Sequence, residues 1–161
     1  MLNHHTKLNQ MNELTVQEIE MQHKIDALEA VLMDNKDELE LVVGDSEMFP
    51  LKHTFVDGLY IREMEMKKDH FAIGKLQKHE HLWVLLKGHL TVTTQSGSEE
   101  YIAPCYVKAK PGEKKAVYAH EDSIFVNIYP NVDNTEDLEE IENKWIAKNY
   151  LEYEKFKQLK Q

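Results

Sequence analysis

Apolar side chains recur at two different periods along this chain. Between residues 8 and 42 there is no glycine or proline, and the apolar positions follow helical rather than alternating spacing. Set in heptads, Met11, Ile25, Leu32 and Leu39 share one seam position and Leu14, Met21 and Leu28 the other, interrupted by Glu18 and Asn35. This seam predicts an N-terminal α-helix able to form a coiled coil and to self-associate through those seven residues, with Asn35 fixing register. Ile19 and Val31 widen the stripe, which also suits an amphipathic helix lying on its own domain.

Gly44-Asp45-Ser46 and Phe49-Pro50 end that pattern. From there to about residue 130 the chain offers short strand-like runs: LYIREMEM (59–66), HFAIG (70–74), LWVLL (82–86), HLTVTT (89–94), EYIA (100–103), CYVKA (105–109), KAVYA (115–119) and SIFVNIY (123–129). Their lengths and spacing predict an all-β sandwich or barrel. Gln95-Ser96-Gly97-Ser98 and Lys110-Pro111-Gly112-Glu113 read as tight turns. From Thr135 to Lys160 the helical period returns. Leu138, Ile141 and Trp145 fall on one stripe, Thr135 is placed to cap, and Glu136 and Asp137 sit where the helix dipole favours anions. The expected division is a helical oligomerisation segment over 1–44, a mainly β, antiparallel barrel over 45–132 and a C-terminal α-helix over 133–161.

Composition narrows the function classes. The 161 residues are 42% hydrophobic and 30% charged, ordinary values for a globular domain with its own core. A formal net charge of -10, with no offsetting Lys/Arg cluster, argues against nucleic acid and against an anionic membrane surface as partners. The single cysteine, Cys105, has no internal disulfide partner, and MLNHHTKLNQ has no apolar signal region. Both predict a cytoplasmic protein rather than one secreted by a signal peptide. Phosphate-loop, nucleophile-elbow and C-x-x-C patterns are absent. The carboxylates of EDLEEIEN (136–143) read as a solvated helix face.

The chemistry-bearing stretch is GKLQKHEHLWVLLKG (74–88), where His79 and His81 stand two residues apart at the head of an apolar run. If both lie in one strand, they share a face and can direct two imidazoles to one metal. His53, His70, His89 and His120 are the candidates for a further ligand.

In order, these pieces resemble the cupin superfamily. Its first motif carries an H-x-H pair and then a ligand with six residues between it and a glycine, and here His81 stands in that relation to Gly88. The positions of the pair hold Lys75 and Gln77. Gly112 matches the glycine of the second motif's turn, and Lys115 stands where a histidine would follow. The blocks KHTFVDGLYIREMEM, HEHLWVLLKGHLTVTTQSG, APCYVKAKPGEKK, AHEDSIFVNIYP and DLEEIENKWIA are similar to small cupin-like proteins of tailed bacteriophages over residues 50–148.

This resemblance implies a single cupin-type, jelly-roll-like barrel whose metal site, reduced to His79 and His81, is incomplete and which carries no resident cofactor. It also implies a non-enzymatic structural or assembly module that self-associates or docks on other phage structural proteins, in the host cytoplasm during assembly and in the virion. Two alternatives remain open. One is a metal-dependent cupin enzyme acting on a small molecule through one divalent transition metal. The other is a small-molecule or sugar-binding protein in which Lys115 neutralises an anionic ligand.

Overall fold

The computed structural model describes residues 15–37 and 49–160. The first element, α1 (Val16–Asp34), begins abruptly, because Thr15 has extended backbone and caps it. The Thr15 hydroxyl accepts from the Glu18 amide at 3.2 Å, and Glu18 Oε2 accepts from the Thr15 amide at 2.8 Å. At the other end Asn35 closes the helix, its side-chain amide donating to the Val31 carbonyl at 2.7 Å. The two interruptions of the heptad therefore both serve the ends of a 19-residue helix, Glu18 as the N3 partner of the Thr15 cap and Asn35 as the C-cap. Asn35 is exposed and terminates the helix, instead of sitting buried in a seam to set register. Ile25 is buried, Met21 and Leu32 are half-buried and Leu28 is exposed, so α1 packs across the β-domain of its own chain. Met11, Leu14 and Leu39 lie outside the described residues.

Among the described residues eleven strands follow, all paired antiparallel. They are β1 (Leu51–Val56), β2 (Gly58–Met66), β3 (Phe71–Ile73), β4 (Leu76–Gln77), β5 (His81–Lys87), β6 (His89–Thr94), β7 (Gly97–Ile102), β8 (Cys105–Ala109), β9 (Ala116–Ala119), β10 (Ser123–Asn131) and β11 (Ile146–Ala147). One sheet has the order β1-β2-β10-β5-β8 and the other β3-β9-β6-β7, with β4 and β11 as a short separate pair. Met66, Trp83, Leu85 and Phe125 from the first sheet meet Leu90, Val92 and Val117 from the second in one buried cluster. The two sheets thus face each other across a single core, a jelly-roll-like arrangement with helices at both ends of the chain.

Glycine is required at two positions where a positive φ coincides with a close neighbour. Gly88, between β5 and β6, has φ 95°, and a Cβ there would lie 2.1 Å from Ser123 Oγ. Gly112 has φ 80° and is covered by the Tyr153 ring, 2.8 Å from where its Cβ would be.

The C-terminal helix comes as two. Asp137, not Thr135, caps α2 (Leu138–Trp145), its Oδ1 accepting from the Glu139 and Glu140 amides at 2.9 and 3.1 Å. Ile146 and Ala147 then run extended as β11 and pair with β4, and Asn149 caps α3 (Tyr150–Leu159). Burial of Ile146 and Ala147 in that pairing breaks the helical period. Ile141 of α2 is buried against Tyr60 and Tyr129, so α2 closes one end of the sandwich. Among the described residues no helix is long and apolar enough to cross a membrane.

Candidate functional site

Register explains how a polar chamber arises at the α2 end of the sandwich. Strands expose alternate residues to each face, and pairing aligns them in rows. Phe125 pairs with Met64 and Leu85, forming an apolar row. Two residues further along β10, Asn127 pairs with Arg62 and Trp83, and Arg62 pairs in turn with His53. The next row joins Tyr129 to Tyr60, while His81 stacks on Tyr129 with ring centroids 5.1 Å apart. The interior therefore changes from apolar to polar within about 7 Å, two residues of strand rise.

These rows border a cavity of about 490 Å³, whose polar wall includes His53, Tyr60, Arg62, Gln77, Lys115, Asn127 and Tyr129 and whose apolar wall includes Met64, Val117 and Phe125. Residues of α1 (Leu32, Met33) and α2 (Leu138, Ile141) complete its rim.

Lys115, just before β9, is 8% exposed. Burial pushes its ammonium down to about 8, against the pull of the Glu113 carboxylate 4.0 Å away. The His81 imidazole is lowered to about 4, first by burial and then by the Lys115 charge, so it is neutral at pH 7. Burial likewise raises the Tyr129 hydroxyl to about 12 and holds Tyr60 above its usual value. Tyr60 shares a 2.8 Å hydrogen bond with His53 Nδ1. Among the described residues Arg62 makes no ion pair, and its buried Nε has no hydrogen-bond partner. Gln77 Oε1 and His81 Nε2 are buried and unpartnered too. Buried polar atoms are normally satisfied, so Arg62 Nε and Gln77 Oε1, both on the chamber wall, are groups set to meet a ligand.

The residues expected from sequence are only partly brought together. His81 and Lys115 are brought close enough for the Lys115 charge to act on the imidazole, but of the two only Lys115 lines the chamber. His79 does not join them, because β5 starts at His81 and His79 sits in the preceding bend, where strand alternation does not apply. Its ring is held edge-on by Trp145 and Phe156 at 4.9 Å each, and Nδ1 lies 3.2 Å from Lys160 Nζ. His53 reaches the chamber wall, His70 bonds the Lys68 carbonyl, and His89 and His120 lie on the outer face of the other sheet.

The metal centre that the alternative, a metal-dependent enzyme, requires does not fit the described residues of the interior. Among the described residues no group of three ligand-bearing side chains forms there, and the Lys115 ammonium beside His81 repels a cation. Sequence reasoning missed Arg62 and Asn127. The available signal was parity, since each occupies the inward position between apolar or aromatic neighbours in GLYIREMEM and SIFVNIYPN.

No protein-family model matches the chain, and no curated protein matches it. Similar solved structures include ectoine synthase from P. lautus, at 11% identity over 54% of this chain and 67% of that one, with a TM-score of 0.47. A cupin superfamily protein from Desulfitobacterium hafniense is similar at 10% identity over 56% and 84%, with a TM-score of 0.46. KdgF from Halomonas sp. is similar at 14% identity over 58% and 92%, with a TM-score of 0.47. These likenesses concern the fold, and none of them indicates a bacteriophage link.

Proposed function

We propose that the chain binds a small organic anion in the polar chamber, clamped between Arg62 and Lys115. The observation that carries this reading is a guanidinium without a carboxylate partner among the described residues, facing the same apolar-walled cavity as a buried ammonium. Two cations in a half-dry chamber are costly without an anion, and a planar guanidinium matches a carboxylate fork in a way an ammonium cannot. Tyr60 and Tyr129 keep their protons at neutral pH and can donate to the ligand. A cavity of about 490 Å³ matches the size range of sites that enclose metabolite-sized molecules.

The test is calorimetric titration with small mono- and dicarboxylates, inorganic phosphate and neutral sugars of similar volume. At least one carboxylate should bind, and Arg62→Met should weaken it tenfold or more. Binding should also weaken as pH rises past about 8, where Lys115 gives up its charge. If no carboxylate binds, or if Arg62→Met binds it equally well, the proposal is wrong.

A second reading, assembly through the N-terminal helix, draws on the exposed side chains of Val16, Ile19, Leu28 and Val31 on α1. Light scattering on the full chain tests it. A monomer at micromolar concentration would remove its support without touching the anion site.

A further inference from the structure

We infer that His89, Glu100 and His120 form a divalent transition-metal site on the outer face of the four-stranded sheet, separate from the anion chamber. Three adjacent strands supply it. His89 opens β6, directly after the chain reversal at Gly88, and Glu100 lies on β7, where its register partner is Thr91. His120 follows β9, and its amide donates to the His89 carbonyl at 2.9 Å. Leu90 and Ala119, the neighbours of His89 and His120, are fully buried in the core, so alternation turns both imidazoles outward.

One ligand atom from each of the three side chains lies within 4.8 Å of the others. The imidazoles are stacked, with centroids 4.3 Å apart and planes at 30°. His89 Nε2 is 3.2 Å from Glu100 Oε2, and His120 Nε2 is 2.7 Å from the Thr91 hydroxyl. Tyr118 meets the His120 ring edge-on at 4.9 Å, limiting its rotation.

Two imidazoles and a carboxylate are a donor set for zinc, cobalt, nickel or copper rather than for calcium or magnesium. Tetrahedral coordination at about 2.0–2.1 Å requires ligand atoms roughly 3.4 Å apart. His89 and Glu100 already stand at 3.2 Å, and bringing the three ligand atoms, all within 4.8 Å of one another, to that spacing takes only side-chain torsions, while backbone hydrogen bonds hold the three residues in place. With three protein ligands and Glu100 facing water, one coordination position remains for solvent. The net charge of -10 favours cation capture.

The experiment uses the full chain without an affinity tag, stripped with chelator, in a His4→Ala, His5→Ala background so that the adjacent N-terminal histidines cannot compete. Zinc and cobalt are titrated separately, with heat and the visible absorption of bound cobalt as readouts. We expect one equivalent at micromolar or tighter affinity. His120→Ala should abolish it, and Glu100→Gln, at an exposed side chain that leaves the fold intact by circular dichroism, should weaken it at least tenfold. His23→Ala, at an exposed histidine of α1, should bind as the parent does. Millimolar or weaker binding, binding unchanged in both Glu100→Gln and His120→Ala, or binding lost in His23→Ala would each overturn the site.

Discussion

The two ends of the five-stranded sheet's inner face share strands, register and burial, yet they spend free energy in opposite directions. At one end Met64, Phe125 and Leu85 align in a row, with Met66 and Trp83 nearby at 1% exposure. Each such side chain contributes about 1.5–3 kcal/mol by leaving water. At the other end Arg62, Asn127 and His81 occupy equivalent inward positions, with Lys115 brought in from the start of β9 in the facing sheet, beside buried atoms that lack partners. Burial there disfavours the charged form of Lys115 and of His81. One sheet therefore builds a core and a binding chamber, and the apolar end supplies the stability that the polar end consumes.

The sharpest way to break this contrast is truncation at the apolar end. Trp83→Ala should lower unfolding stability by about 3–5 kcal/mol in chemical denaturation, because no neighbour can fill the indole's space. A loss below about 1 kcal/mol would mean that the apolar row is not the stabilising half.

The next effect is an acid transition. His81 in the folded chain takes up its proton only near pH 4, whereas an unfolded histidine does so near the ordinary 6.5. Between those values the unfolded chain binds more protons, so stability falls as pH drops from about 6.5 towards 4, by roughly 2–3 kcal/mol in all. His81→Phe keeps a ring against Tyr129 and should flatten that slope. An unchanged slope would assign the acid transition to other groups.

Much of the fold was legible in the sequence because alternation is local. GLYIREMEM and SIFVNIYPN state their own inward faces, and a charged Arg62 on the inward parity was visible there. What was not legible depends on distant partners or on where an element starts. LKHTFV alternates only half-buried against exposed residues, so β1 lacks a strong apolar signal. The bridge of Ile146 and Ala147 to Gln77 and Leu76 joins residues far apart in the chain, and no local pattern announces that it splits the last helix. His79 and His81 look paired only if β5 begins before both of them. Glu18 and Asn35 read as seam defects because a heptad count does not know where a helix ends. His89, Glu100 and His120 meet through cross-strand register, which spacing along one chain segment does not reveal.

A smaller effect, of opposite sign to the first, sharpens the polar half. Lys115→Met places an apolar chain of similar length where burial opposes a charge, and it should raise stability at pH 7 by about 1–2 kcal/mol. The gain is limited because Glu113, 9% exposed, loses its cation 4.0 Å away. The pH dependence gives a second readout. Folded Lys115 loses its proton near 8 and an unfolded lysine near 10.5, so the parent gains stability as pH rises between these values, and the variant should not. Anion binding weakens over the same interval, so one amine moves stability and affinity in opposite directions. If Lys115→Met is destabilised at pH 7, the two ends of the sheet do not differ as described.

The smallest effect concerns the residue next door. Lys114 precedes Lys115 in the chain but turns to α1, where Nζ donates to Asp26 Oδ1 at 2.9 Å and also to Glu29. Burial works against its charge, but the hydrogen bonds to the two carboxylates outweigh it and hold the ammonium above its usual value. Two adjacent lysines are thus shifted in opposite directions, one by having anionic partners and the other by burial beside a more distant one. Wherever both carboxylates are ionised, the raised value means that the contact keeps its contribution below the ordinary lysine range and loses it only as pH climbs through the folded value above it. Lys114→Met should therefore cost a pH-independent 0.5–1 kcal/mol or so near neutrality, since both carboxylates are partly solvated. The loss should be local. Amide exchange at Ile25, on the buried face of α1, should quicken in the variant, while exchange at Trp83 and Leu85 stays as in the parent. If Ile25 keeps its protection, packing alone holds α1 to the sandwich and Lys114 is dispensable to it.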